Sequence, residues 1–171
     1  LVIAAGVLTA KPKAPLYGLA LLIWSALLFV IPNENAYRVS GLKKGDYVIT
    51  QLDVGQGTAV VISTKNQTWL YDTGFGSTGL GGGRVFNAGS AIILPYLSTS
   101  GIDSLDGLIV SHGDNDHIGG FASILSRIPV SNIYLNSEEG KQDRISAKPC
   151  VSGDAWNVDG IEFKVLHPRP K

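Results

Sequence analysis

The sequence predicts a layered domain of the α/β or α+β class, preceded by a helix that crosses a membrane. Three observations carry that expectation. Residues 14–31, APLYGLALLIWSALLFVI, hold no charged side chain. From Asp46 to about Gly74 the chain breaks into short β-rich runs separated by glycines and polar pairs. After Gly101 a compact apolar run, an amphipathic segment and a second apolar run follow each other, the alternation of strand and helix that builds layered sheets.

As a helix, residues 14–31 would reach roughly 27 Å at about 1.5 Å per residue, close to the thickness of a bilayer's hydrocarbon core. Pro15 suits a first helical turn, Pro32 stops the helix, and Tyr17 fits an interface position. A buried helix of a soluble protein is the alternative. A second apolar run, LVIAAGVLTA, comes before it, and the chain has no initiator methionine. A cleavable signal peptide is therefore not expected. The expected organisation is a piece of a longer membrane protein, with transmembrane segments over 1–32, a linker over 33–46 and a soluble domain over 47–171. Lys11 and Lys13 in the short turn favour the cytoplasmic side for that turn, which puts the domain on the other side. Arg38, Lys43 and Lys44 pull against this orientation. The lone cysteine, Cys150, excludes an internal disulfide. Basic and acidic residues number 14 each, and Lys43-Lys44 is too short to make a nucleic-acid-binding stripe. Composition alone does not point to DNA.

Within the domain, GDYVITQLDVGQG alternates around Val48, Thr50 and Leu52 and breaks at Gly55 and Gly57, which predicts a strand entering a turn. TAVVIST and QTWLYDTG are the next two strands, joined through Lys65-Asn66, so an antiparallel meander is expected. FGSTGLGGGRVFNAG reads as a flexible loop beside Asp72. SAIILPYLSTSG predicts a short helix, with Pro95 against a long one. LDGLIVSH is bounded by polar residues and predicts a buried strand. The stretch after it places Phe121, Ile124, Leu125 and Ile128 at i, i+3, i+4 and i+7, an amphipathic helix over about 118–128. VSNIYLN is another strand, and WNVDGIEFKVLHP carries Asp159-Gly160 between two β-rich arms, a hairpin signal.

The chemistry concentrates in SHGDNDHIGG, residues 111–120. The chain has three histidines, and two stand here among aspartates. The segment leaves the carboxyl edge of the buried strand, where α/β folds collect ligands. In an extended loop His112, Asp114 and Asp116 share one register and His117 turns the other way. Four donors so close in sequence cannot all reach one ion without strain. They can serve two divalent ions, roughly 3.5–4 Å apart in two-metal hydrolytic sites. Imidazole with carboxylate suits Zn or Mn. The competing reading is a polar loop with solvated histidines and turn-forming aspartates.

SHGDNDHIGG resembles the His-x-His-x-Asp-His signature of the metallo-β-lactamase fold superfamily, with Asp114 in the place of the second histidine. LDVGQG at 52–57 and LYDTG at 70–74 resemble the opening of the same fold. Together with the apolar segment before them, and with KPCVSGDAWNVDGIEFKVLHP after them, they resemble the ComEC family of DNA-uptake channels, over about residues 11–171. The resemblance implies a partial αβ/βα sandwich and a metal-dependent hydrolase site. It implies that the module degrades the non-transported DNA strand during natural transformation, at the bacterial inner membrane, alongside the rest of the channel and other competence-machinery proteins. By motif, His112 and Asp114 would bind one ion and Asp116 and His117 the other. Asp116 would also position the attacking water, and Asp72 would orient ligands from behind. A carboxylate at 114 in place of a neutral imidazole makes the first site harder and favours Mn²⁺.

Thr58 departs from the family pattern, where many relatives carry an aspartate after DVGQG. The superfamily also takes further ligands from later segments, including a TGD-like aspartate, and none is found by Lys171. A metal ligand and the end of a hairpin strand both fit His167. Turn formation and site support both fit Asp53, and Gly55 and Gly57 read as turn-shaping. Two other functions stay open: a module that guides or binds DNA without cutting it, and a hydrolase of this fold acting on a small molecule.

Overall fold

A computed structural model describes residues 41–77, 86–135 and 146–169. The expected membrane segments and most of the linker lie outside the described residues. Among the described residues no helix is long and apolar enough to cross a membrane.

Strands β1 (Tyr47–Gln51), β2 (Val60–Thr64) and β3 (Thr68–Tyr71) form the expected antiparallel meander, with Gln51 opposite Val60 and Ser63 opposite Thr68. Strands β4 (Leu105–Val110), β5 (Val130–Leu135) and the two-residue β6 (Ala147–Lys148) then add in parallel, giving one mixed sheet in sequence order. The parallel half needs crossovers, and among the described residues helical segments supply those from β3 to β4 and from β4 to β5. Between β3 and β4 a π-helical turn, Gly89–Ile93, runs directly into α1, Leu94–Thr99. A short helical stretch lies where one was expected, and Pro95 does not break it. Its junction explains why, because Leu94 N–H bonds back to Gly89 O and Pro95 falls in the first turn of α1, where a missing N–H costs little.

Between β4 and β5 the single helix expected over 118–128 is replaced by two short ones, α2 (Asn115–Ile118) and α3 (Phe121–Leu125). Gly119 and Gly120 separate them because each lies against backbone. A β-carbon on Gly119 would overlap the Gly76 nitrogen and the Asn115 carbonyl, and one on Gly120 the Thr73 carbonyl. The apolar spacing of α3 holds nonetheless: Phe121 and Ile124 are buried, with Leu125 and Ile128 packed against the core. These helical segments cover one face of the sheet, burying Val61, Leu70, Leu108 and Val110 beneath Ile93, Leu97 and Ile124. Each such side chain contributes about 1.5–3 kcal/mol on full burial.

The other face carries an aromatic cluster. Trp69 lies over Gly107, its pairing partner on β4, where any β-carbon would overlap the indole ring. Tyr134 of β5 and Trp156 and Phe163 of the hairpin β7 (Ala155–Val158)–β8 (Ile161–Lys164) surround it, with ring centroids 5.3–6.1 Å from Trp69. The hairpin turns at Asp159 and Gly160, both at positive φ (51° and 91°), the type I′ geometry that Asp-Gly favours. Asp159 also holds the hairpin to the sheet. Its carboxylate accepts hydrogen bonds from Thr64 Oγ1, Asn66 N and Asn66 Nδ2, each 2.7 Å, and Gly45 N–H donates to its carbonyl. Those contacts hold its carboxyl pKa below the ordinary value, the Thr64 hydroxyl first and the Asn66 backbone second.

The glycine-rich loop after Asp72 lies largely outside the described residues. Its two ends are pinned together by Ser77 N–H to Phe86 O and Ala88 N–H to Phe75 O.

Candidate metal centre

Because β3 and β4 are parallel neighbours, their carboxyl ends emerge side by side, and the residues just beyond them meet. Asp72 follows β3 and Ser111 follows β4. Asp72 is almost fully buried, with φ at 58°, a left-handed conformation that aspartate tolerates better than most residues. Its N–H donates to Ile109 O, and its carboxylate turns back onto the histidine loop. There it accepts from Ser111 N–H at 2.7 Å and Ser111 Oγ at 2.9 Å, and it contacts His117 Nδ1 at 2.7 Å. A carboxylate only accepts, so Nδ1 of His117 carries the proton and Nε2 presents its lone pair. This arrangement, a carboxylate behind an imidazole, is the one that orients metal-ligating histidines.

The turn that carries His117 is held from two sides. Thr73 donates through both its N–H and its Oγ1 to the His117 carbonyl, at 2.7 and 2.9 Å. Thr58 N–H donates to the Asp116 carbonyl at 3.2 Å, and Thr58 O accepts from Gly74 N–H. Position 58 thus serves the site through its backbone. Gly55 and Gly57 both have positive φ and shape the turn after β1, while Asp53 Oδ1 accepts from Gly55 N–H within it. Gly57 does more than turn the chain: a β-carbon there would overlap the Asp116 carbonyl.

The four expected donors come together as two pairs. His112 Nε2 lies 3.3 Å from Asp114 Oδ2, and His117 Nε2 lies 3.6 Å from Asp116 Oδ2. The two imidazole rings lie beside each other, tilted by 44°, with centroids 4.0 Å apart. The extended register expected through Asp116 stops at Asp114, which has extended dihedrals and occupies the N-cap of α2. Asp116 and His117 therefore sit on a helical turn, where the alternation of a strand no longer applies. Among the described residues no group of three or more His, Cys, Asp and Glu side chains converges on one point. Each pair offers one imidazole nitrogen and one carboxylate oxygen, a donor set that fits a divalent ion as part of its coordination.

His112 also borders an apolar cleft of about 750 Å³ lined by Tyr71, Trp156, Phe163 and Leu166 among others, and His167 lies on its wall. Cys150 lines the same cleft. Burial first, and the charge of Asp154 second, push its thiol pKa up to about 11, which keeps the free thiol protonated near neutral pH. The Tyr134 phenol is likewise raised, by burial and then by Cys150 and Asp154.

Ser111 and Thr73 were not singled out by sequence reasoning. Both stand next to motif residues, in SHGD and YDTG, but a hydroxyl at the end of a strand gives no periodic signal of where it points.

Residues 52–145 match the metallo-beta-lactamase superfamily, whose members typically use divalent metals, usually zinc. The chain is similar over its full length, at 32% identity, to the competence protein ComA of Neisseria gonorrhoeae, of which it covers 22%. Over 90% of its length it is 35% identical to recombination protein 2 of Haemophilus influenzae, covering 17% of that protein. Over 71% of its length it is 24% identical to ComE operon protein 3 of Bacillus subtilis, covering 18%. The chain thus spans about a fifth of these curated relatives. With the strand-end histidine and aspartate pairs, the match places the chain in the metallo-beta-lactamase superfamily, among its ComEC-like competence proteins.

Proposed function

We propose that this chain carries the metal-dependent hydrolase module of a DNA-internalisation channel, and that it cuts the phosphodiester backbone of the strand that is not taken up. The observation that carries the reading is the pairing of His112 with Asp114 and of His117 with Asp116 at the carboxyl edge of the sheet, with Asp72 fixing His117. When bound, two divalent cations supply neutralisation of the charge that builds on a phosphodiester and make the attacking water more acidic. The chain's own part is to present one Nε2 and one carboxylate per ion and, through Asp116, to orient that water. Asp114 makes the first pair harder than two imidazoles would be, which favours Mn²⁺ over Zn²⁺.

Similarity to a competence protein and to a recombination protein supports a DNA-uptake context. In this reading the module belongs to an inner-membrane channel, faces the non-cytoplasmic side, and works with the rest of that channel, other competence proteins and incoming DNA.

The test is cleavage of labelled DNA by the full-length protein in detergent with added Mn²⁺, comparing wild type with Asp116→Ala. The wild type should degrade DNA and the variant should fall to background while keeping the same circular dichroism and melting curve. Equal cleavage by the variant, or none with any divalent metal, overturns the nuclease reading. Retention of DNA without cutting would favour a guiding module instead, and turnover of a small ester alone would favour a small-molecule hydrolase.

A further inference from the structure

Asp72 fixes His117 directly, but among the described residues no carboxylate stands behind the ring of His112. Its Nδ1 meets the hydroxyl of Ser111, at 2.9 Å. The same hydroxyl lies 2.9 Å from Asp72 Oδ2. One hydroxyl has one proton, and a carboxylate can only accept, so the proton between Ser111 Oγ and Asp72 Oδ2 is the serine's. If Ser111 donated to His112 instead, two oxygens would face each other at that distance with no hydrogen between them. The Ser111 oxygen is therefore the acceptor for His112, and Nδ1 of His112 is the donor. Ser111 Oγ also lies 3.4 Å from His117 Nδ1, but that nitrogen is already 2.7 Å from Asp72 Oδ2, the shorter and charge-assisted contact.

We infer that Ser111 is a positioning residue that relays the Asp72 carboxylate to His112, holding it as the Nδ1–H tautomer and leaving the Nε2 lone pair for a metal. The Asp114 carboxylate favours the opposite tautomer, but at 3.3 Å and on an exposed side chain it is too distant for a good hydrogen bond and competes weakly with the serine. One buried carboxylate then sets both imidazoles. His117 is set by contact, His112 through one hydroxyl. The relay is fixed in space because Ser111 N–H is itself held by Asp72 Oδ1 at 2.7 Å. Without the serine, no other described hydrogen-bond partner on that side of the ring selects between the two tautomers. The inference rests on the reading of this loop as a metal site for its use, but the tautomer itself can be measured with no metal present.

The experiment is ¹⁵N NMR of the full chain in detergent micelles, labelled at histidine and stripped of metal, at about pH 8.5, above the ordinary histidine range. Three histidines make assignment by single His→Gln replacement tractable. In the wild type both His112 and His117 should show a protonated Nδ1 and an unprotonated Nε2. Ser111→Ala should move His112 toward the Nε2–H form and leave His117 unchanged, and Ser111→Thr should restore His112. Mn²⁺ affinity should fall about tenfold in Ser111→Ala and recover in Ser111→Thr. An Nε2–H tautomer at His112 in the wild type overturns the inference without any variant. So does a His112 signal that Ser111→Ala leaves in place. Should Mn²⁺ fail to bind while the tautomers behave as stated, the relay stands and the metal reading falls.

Discussion

Gly57 shows how a residue outside the donor set can govern it. Its φ of +106° is open to glycine and strained for other residues, and the space where a side chain would go is taken by the Asp116 carbonyl. The same carbonyl accepts from Thr58 N–H, so the glycine lets the turn after β1 close onto α2. Gly57→Ala should lower stability by about 1–3 kcal/mol in urea denaturation, through overpacking and backbone strain. It should also weaken Mn²⁺ binding about tenfold, by displacing Asp116 and His117 from their seat. An unchanged binding constant in a destabilised variant would show that the seat does not govern the donors. Asp72 works at the same scale, and its three contacts to Ser111 and His117 are the reason one buried carboxylate is kept so close to the site.

Among elements, the β7–β8 hairpin rests on two different devices. Aromatic contact holds its face, with Trp156 stacked on Tyr134 at a centroid distance of 5.0 Å and Phe163 beside Trp69; such pairs contribute about 0.5–1.5 kcal/mol each beyond their burial. The Asp159 carboxylate holds its turn. The pKa of Asp159 is depressed in the folded state, so its contribution is complete above the unfolded carboxyl value, near 4, and is lost as pH falls through the lower folded value. Tryptophan fluorescence should therefore report loosening of the hairpin below about pH 4. Asp159→Asn keeps a residue that accepts positive φ while removing the charge, and it should abolish that acid step. The same acid step in the variant would show that the carboxylate is not what clasps the turn. The helices teach a different lesson. Phe121 and Ile124 keep the spacing of one helix, yet that helix starts only at Phe121, because at Gly119 and Gly120 the chain must pass within contact of Gly76 and Thr73.

At the scale of the molecule, one six-stranded mixed sheet changes from antiparallel to parallel at β3, and the site sits where that change occurs. A ligand that binds only the folded sheet end must stabilise the whole domain. Mn²⁺ at 100 times its dissociation constant should add about 2.7 kcal/mol, read as a rise in melting temperature that EDTA reverses. Asp116→Ala should blunt that rise, and an equal shift in the variant would place the metal elsewhere.

The positions of the strands other than β6, the Asp-Gly hairpin and the dense group of His112, Asp114, Asp116 and His117 were legible in the sequence. Alternation, turn chemistry and ligand spacing are local properties, set within a few residues and visible without a partner. What stayed hidden depends on residues that are far apart in the chain. His117 and Asp72 are separated by 45 positions and meet only because β3 and β4 lie parallel. Trp69 needs Gly107 bare, and the loop's register breaks at Asp114 because α2 is seated on Gly57 and Thr73. The sequence by itself determined which candidate donors this protein carries. Only the tertiary structure decided how they pair and which carboxylate backs His117, since Asp72 reaches it only where the ends of β3 and β4 adjoin.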